Sequence, residues 1–325
     1  MSEIFSLSQE ISEAVPAAPE SAKIAGFWRR LLAFLIDCLL LGIVGFVVGL
    51  IFYDMLAEMG VWGRLVGFII ALAYFGVLNS ALGNGQTLGK RIVNIKVVDR
   101  DGGLISLHRS FLRYIILGVP FFLNGAMISP SIAALTLIAG LIIFGAGFTI
   151  TYLYIFNRGT HQSLHDLVAG TLVVRATDIE PPPVRIIWKY HLVIAGIGAI
   201  FILAISLVMS SLIGQSIGIS DLYAIQEEIQ NSGKVHMSSV FVGTVWMPNG
   251  KTQYLRVGAI WKEKPESFEA AASEIALIVM RDYADIASKD VLAVTVTYGF
   301  DIGIASGWQS YNANYSPEQW KQKLP

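Results

Sequence analysis

The run from Leu31 to Phe52 limits this chain more than any other stretch. It is 22 residues of almost unbroken apolar sequence with one carboxylate, Asp37, inside it. As a helix rising about 1.5 Å per residue it spans roughly 33 Å, enough to cross a bilayer. A carboxylate within such a helix costs about 2.5–3.5 kcal/mol, so Asp37 requires a partner, a water-filled cavity or a proton. Arg29 and Arg30 stand at the head of the run. Arg30 and Asp37 fall within about 20° of one helix face but lie about 10 Å apart along the axis. Each therefore looks to another helix for its partner.

Four more apolar segments follow, at roughly 61–82, 111–128, 131–156 and 190–213. Each approaches or exceeds the ~18–20 residues that cross a bilayer. The segment 111–128 is interrupted by Pro120 and followed by Asn124-Gly125, which predicts a kink or a re-entrant path. Only 14% of the chain is charged, against about 25% in a soluble domain. A net charge of -1 speaks against a nucleic-acid partner. The one cysteine, Cys38, sits within the first span and forms no internal disulfide. Residues 1–25 are polar, carry Pro16 and Pro19, and lack the pattern of a cleaved signal peptide; they read as a disordered cytoplasmic tail.

Basic residues set the expected orientation. Thirteen Lys and Arg fall in the tail, in the stretch between the second and third spans, and between the fourth and fifth; the other two connections and their flanks carry only Arg64. The positive-inside rule then places the N-terminus in the cytoplasm and, with five spans, the C-terminal region outside the cell. That region, 220–325, reads as a small soluble α+β domain. Val235 to Met247 alternates, Pro248-Asn249-Gly250 is a hairpin turn, and Thr252 to Trp261 forms a second strand. A helix is expected over 266–283, a third strand over 291–298, and Ile302-Gly303-Ile304 as the start of a fourth. The fold class is therefore an α-helical integral membrane protein with about five transmembrane helices, the fifth at 186–213, followed by a domain expected to fold on its own.

Three stretches carry a family likeness. They are Gly26-Phe27-Trp28-Arg29-Arg30-Leu31-Leu32-Ala33-Phe34-Leu35-Ile36-Asp37; Gly85-Gln86-Thr87-Leu88-Gly89-Lys90-Arg91 with Val97-Val98-Asp99; and His165-Asp166-Leu167 with Ala169-Gly170-Thr171. Together they resemble the RDD family of bacterial membrane proteins, named for one arginine and two aspartates, over roughly 22–178. The resemblance makes 26–178 an RDD-type membrane domain with four apolar spans and places the protein in the bacterial cytoplasmic (inner) membrane. It maps the signature arginine to Arg30 and the aspartates to Asp37 and Asp166. Some members are linked to sodium or lithium export coupled to protons, which implies ion transport by an antiporter here.

The residues themselves leave two readings of Asp37. A buried carboxylate that takes either a proton or a monovalent cation is the minimal chemistry of an antiporter. The bland reading is an ion pair that pins two helices, with Arg113 as the partner. Asp166 is either the third residue of a capping box begun by Ser163 or a companion of Arg30. His161 and His165, four apart with no Cys nearby, do not make a metal site. Gly83 to Arg91 fails the phosphate-loop spacing; its Lys90 and Arg91 are expected at the anionic inner leaflet, and the strand from Ile92 to Val98 is expected to pair with Thr171–Val174. His236 stands without a nucleophile beside it, and no catalytic constellation or cofactor motif appears, so no enzyme is expected. Trp246, Trp261, Trp308 and Trp320 make the C-terminal domain aromatic-rich. They serve core and interface packing, or a face for an envelope protein or glycan. Two functions remain: monovalent cation (sodium, lithium or potassium)/proton exchange through Arg30, Asp37 and Asp166, or a non-transporting anchor that presents an extracytoplasmic interaction domain.

Overall fold

The computed structural model describes residues 22–124, 133–178, 181–182, 186–214, 219–247 and 250–324. The start of the expected tail, the facing ends of the third and fourth predicted spans, and Pro248-Asn249 of the expected hairpin turn lie outside them.

Each of the five apolar segments is largely helical where it is described. Helix α1 is Phe27–Ile51, α2 is the short Tyr53–Glu58, and α3 is Gly63–Leu78, preceded by a 3-10 turn from Gly60. Helix α4 is the five-residue Leu88–Ile92 and α5 is Leu107–Leu123. Helices α6 (Ala133–Gly140) and α7 (Gly147–Phe156) are joined by the π-helical stretch Leu141–Ala146. Further on come α8 (Leu164–Ala169) and α9 (Lys189–Gly214). Among the described residues, three helices are long and apolar enough to cross a membrane: Phe27–Ile51, Gly60–Leu78 and Leu137–Phe156. Helix α5 has only 17 residues, with Pro120 near its end and Arg109 and Arg113 in its first half. The apolar stretch Lys189–Ile205 of α9 is also shorter than the other three.

The chain divides into two compact units. The first comprises the chain up to Asp37, Leu72–Leu117 and Phe148–Gly196; the second comprises Cys38–Ala71, Gly118–Gly147 and Ile197–Pro325. The first unit holds strands β1 (Ile95–Asp99) and β2 (Thr171–Arg175), which pair antiparallel from Ile95↔Arg175 to Asp99↔Thr171, close to the expected pairing. The segment before α1 adds to this ribbon through the Ile24↔Val174 bridge. Ile95, Val97, Ile105 and Val173 form the core beneath it, with Ala25 and Ala33.

The second unit holds a four-stranded sheet in the order β3-β4-β5-β6, with β3 Val235–Met247, β4 Gly250–Trp261, β5 Val291–Asp301 and β6 Ser306–Tyr315. The β4–β5 pair is parallel, as a crossover through helix α11 (Phe268–Asp282) requires, and the other two pairs are antiparallel. Helix α10 (Ile219–Asn231) and α11 share a core with the sheet in which Ile229, Leu255, Ala272, Val279 and Leu292 are fully buried. Helix α12 (Pro317–Lys323) closes the chain behind a capping box of Ser316 and Gln319.

Ile302-Gly303-Ile304 does not open the fourth strand. It is the turn between β5 and β6, made by the Gly303 N–H donating to Asp301 Oδ1 at 2.7 Å and by a positive φ of 79° at Gly303. Within the second unit this turn packs against α1 and α3. Phe300 and Ile302 join Leu56 in a buried cluster, with Val48, Val66 and Ile304 against it. A Cβ at Gly67 would collide with the Ile302 carbonyl, and one at Gly49 with the Phe300 ring. Polar bonds fix the same seam: Tyr298 Oη donates to Asp54 at 2.8 Å, and Arg64 Nε to Asp301 at 3.1 Å.

Candidate functional site: a buried charge cluster

The first unit buries five charged side chains that an apolar environment normally excludes: Arg30, Asp37, Lys90, Arg113 and Asp166. Two of the three signature positions meet directly. Arg30 donates to Asp166 and to the His161 carbonyl. His161 is held in the left-handed region, φ 53°, by a loop in which Asn157 Nδ2 donates to Thr160 Oγ1 at 2.7 Å and to the Gln162 carbonyl at 2.8 Å. Arg30 lies within α1 rather than ahead of the apolar run, because the helix begins at Phe27.

Asp166 serves both roles considered for it. Its carboxylate accepts the Ser163 N–H at 3.3 Å, as a capping residue does, and also accepts from both arginines. Arg113 Nε and Nη2 donate to its Oδ1 at 2.9 and 2.7 Å. The expected Asp37–Arg113 pair is thus replaced by an Arg30–Asp166–Arg113 triad, because Arg113 delivers its fork to the other carboxylate. Burial alone would raise the Asp166 carboxyl; the guanidinium of Arg113 and then that of Arg30 hold it well below the usual carboxylate range. His165 Nε2 lies 3.5 Å from Asp166, and its buried Nδ1 has no hydrogen-bond partner among the described residues. Burial pushes this imidazole down to about 3, so it is neutral at physiological pH.

Asp37 is held differently. It is fully buried and accepts from three neutral donors: Tyr74 Oη at 2.7 Å, Thr87 Oγ1 at 2.6 Å and the Gly89 N–H at 2.8 Å. Among the described residues it takes part in no ion pair. The stretch Gly85 to Arg91 explains this. Thr87 caps α4 and its hydroxyl donates to Asp37; of the N–H groups at that helix start Gly89's goes to this carboxylate from α1, Leu88's to Tyr74 Oη and Lys90's to Thr87 Oγ1. Gly89 has no room for a side chain, since a Cβ there would lie 2.1 Å from the Ala33 carbonyl oxygen and 2.9 Å from Asp37 Oδ1.

Lys90 departs from its expected place. It does not reach a leaflet surface; its side chain turns inward and donates to Asn79 Oδ1 at 2.8 Å. Burial, then the Arg113 charge, pushes its ammonium from 10.5 down to about 7 against the pull of Asp37. Its clue was the helix start itself: with Thr87 and Gly89 committed to Asp37, the next side chain on that turn is directed into the same interior. Arg30, Asp37, Asn79, Lys90, Arg113 and His165 line one cavity of 350 Å³, whose remaining walls are largely apolar, including Phe27, Leu31, Phe34 and Tyr154. Among the described residues, no group of three or more His, Cys, Asp or Glu is placed to hold a metal.

These features define a class of membrane protein whose apolar helices enclose a cluster of buried charges at the signature positions. The chain belongs to the RDD family, whose model matches residues 24–170. It is 31% identical over 158 residues to the uncharacterized protein YckC of Bacillus subtilis strain 168, covering 49% of this chain and 89% of the relative. It is 26% identical over 131 residues to the uncharacterized protein YxaI of the same organism, covering 33% of this chain and 86% of that relative. The family match stops before α9 and the C-terminal sheet. No solved structure matches the chain.

Proposed function

We propose that this protein exchanges monovalent cations for protons across the bacterial cytoplasmic membrane, with Asp37 receiving the cation and Lys90 the proton. One observation carries the reading: a buried carboxylate that, among the described residues, is held by neutral donors shares a cavity with a buried ammonium poised to lose its proton near pH 7. A proton on Lys90 places a positive charge near Asp37 and disfavours a cation there. Loss of that proton leaves the carboxylate uncompensated and favours cation entry. The two ligands therefore exclude each other through charge, as exchange requires. In this scheme the Arg30–Asp166–Arg113 triad is the frame.

In this reading the protein makes five spans with the N-terminus inside and the C-terminal sheet outside, supported by the thirteen-to-one distribution of basic residues. A periplasmic-type reporter fused after Lys323 is then active and one after Arg175 silent. The transport test is reconstitution of the full-length protein in vesicles that carry a pH-sensitive dye, with sodium, lithium or potassium added outside. Cation-dependent proton movement is expected, with Asp37→Asn abolishing it and Lys90→Gln removing its pH dependence near neutrality. Absence of any cation-dependent proton movement in the intact protein would refute the exchange reading. The alternative of a tethered anchor fits less well, because the turn Phe300–Ala305 is packed against α1 and α3 rather than held on a free linker.

A further inference from the structure

The charges in the cavity of the first unit do not balance. Arg30, Arg113 and Lys90 line it with three positive groups when Lys90 is protonated, Asp37 lines it with one negative group, Asp166 lies behind the two arginines, and His165 is neutral. Asp166 absorbs both arginines, and Asp37 is occupied by neutral donors. The triad itself keeps a net positive charge, and among the described residues Lys90 forms no ion pair: its ammonium gives one of its three protons to neutral Asn79. Around this polar floor stand Leu31 and Phe34 of α1, Leu117 of α5 and Ile155 of α7. Phe34 and Ile155 are 41% and 44% exposed, on helices apolar enough to lie in a bilayer. A basic floor beneath apolar walls that open toward lipid fits an amphiphile with an anionic head.

We propose that this cavity binds one anionic phospholipid drawn from the surrounding bilayer, with its phosphate against Lys90 and the proximal part of an acyl chain along Phe34, Leu117 and Ile155. The cavity is large enough for a phosphate and a few methylene groups, so the rest of the lipid stays in the membrane. The inference uses the same Lys90 charge as the exchange reading but does not depend on transport. It adds a consequence: phosphate binding and Lys90 protonation favour each other, so bound lipid holds the site in its protonated state and opposes cation entry. The groups that face Lys90 are the cations Arg30 and Arg113, the anions Asp37 and Asp166, and neutral His165 and Asn79.

The test uses full-length protein in a phosphate-free maltoside detergent, with thermal unfolding followed at pH 6 and 8.5. Dioctanoyl phosphatidylglycerol, dioctanoyl phosphatidylcholine or inorganic phosphate is added as the probe. Phosphatidylglycerol is expected to raise the Tm more than phosphatidylcholine, with an apparent affinity about tenfold tighter at pH 6 than at 8.5. Lys90→Gln removes both the preference and its pH dependence, and Lys90→Arg keeps the preference but loses the pH dependence. Leu117→Trp, which fills the cavity while leaving every charge in place, loses the phosphatidylglycerol shift. Equal shifts from the two lipids, a preference that survives Lys90→Gln, or a shift from inorganic phosphate alone would each overturn the proposal. Lipid binding without ion flux would reject the exchange reading and leave this one standing.

Discussion

The buried cluster of the first unit and the sheet of the second use the same chemical groups in opposite ways. In the first, Arg30, Arg113 and Asp166 are paired at 1–8% side-chain exposure. In the second, the sheet's core is aliphatic and aromatic, and its ion pairs lie mostly on the surface, as with Lys234–Glu274 at 53% and 37% exposure. The difference shows what each pair can do. An exposed pair competes with water and salt and contributes about 0–1 kcal/mol. A buried pair gains little net stability over an apolar replacement, yet losing one partner strands the other and costs about 3–5 kcal/mol. The cluster is therefore a poor device for stability and a strong one for fixing which helices meet, while the sheet gains its stability by burying apolar area.

The largest expected effect follows from that contrast. Asp166→Asn leaves two guanidiniums buried against a neutral amide and should lower stability by about 3–5 kcal/mol, measured by unfolding of the purified protein in detergent. A loss below about 1 kcal/mol would break the comparison, since the triad would then behave like a surface pair. Next comes Ile275→Ala in the sheet core, with an expected loss of about 2–4 kcal/mol through a cavity, insensitive to salt.

A smaller effect sharpens the contrast through pH. His165 is about 3 when folded and 6.5 when unfolded, so between those values the unfolded chain binds a proton that the folded one does not. Stability is therefore full above about pH 6.5 and declines as pH falls toward 3. His165→Gln should flatten that acid limb; an unchanged limb would assign the acid sensitivity elsewhere. The smallest effect is Lys234→Ala, expected within about 1 kcal/mol and shrinking further in high salt.

The helices, the β1–β2 ribbon and most of the sheet were legible in the sequence because hydropathy and alternation report burial directly. The signature residues were legible too, since a carboxylate inside an apolar run cannot be neutral to its surroundings. Partner choice was not. Arg113 and Asp37 are both plausible mates by depth, and only the capping loop at Ser163 decides that Asp166 receives the fork. Lys90 was misread because adjacent basic residues suggest a membrane surface, whereas a five-residue helix sends Lys90 inward and leaves Arg91 exposed. Ile302-Gly303-Ile304 alternates like a strand, but one glycine with positive φ turns it.

The seating of the β5–β6 turn carries a consequence for synthesis. Arg64 and Asp301 meet across 237 positions of chain. At about 5–20 residues per second, the ribosome needs roughly 10 to 50 s to supply the second after the first. Throughout that interval the glycine-lined faces of α1 and α3 have no occupant, so the newborn protein passes through a stage with an open seam. A cysteine in place of Val48, in a Cys38→Ala background, should react with a thiol reagent in ribosome-bound chains that end before Phe300 and become protected once Ala305 and β6 have emerged.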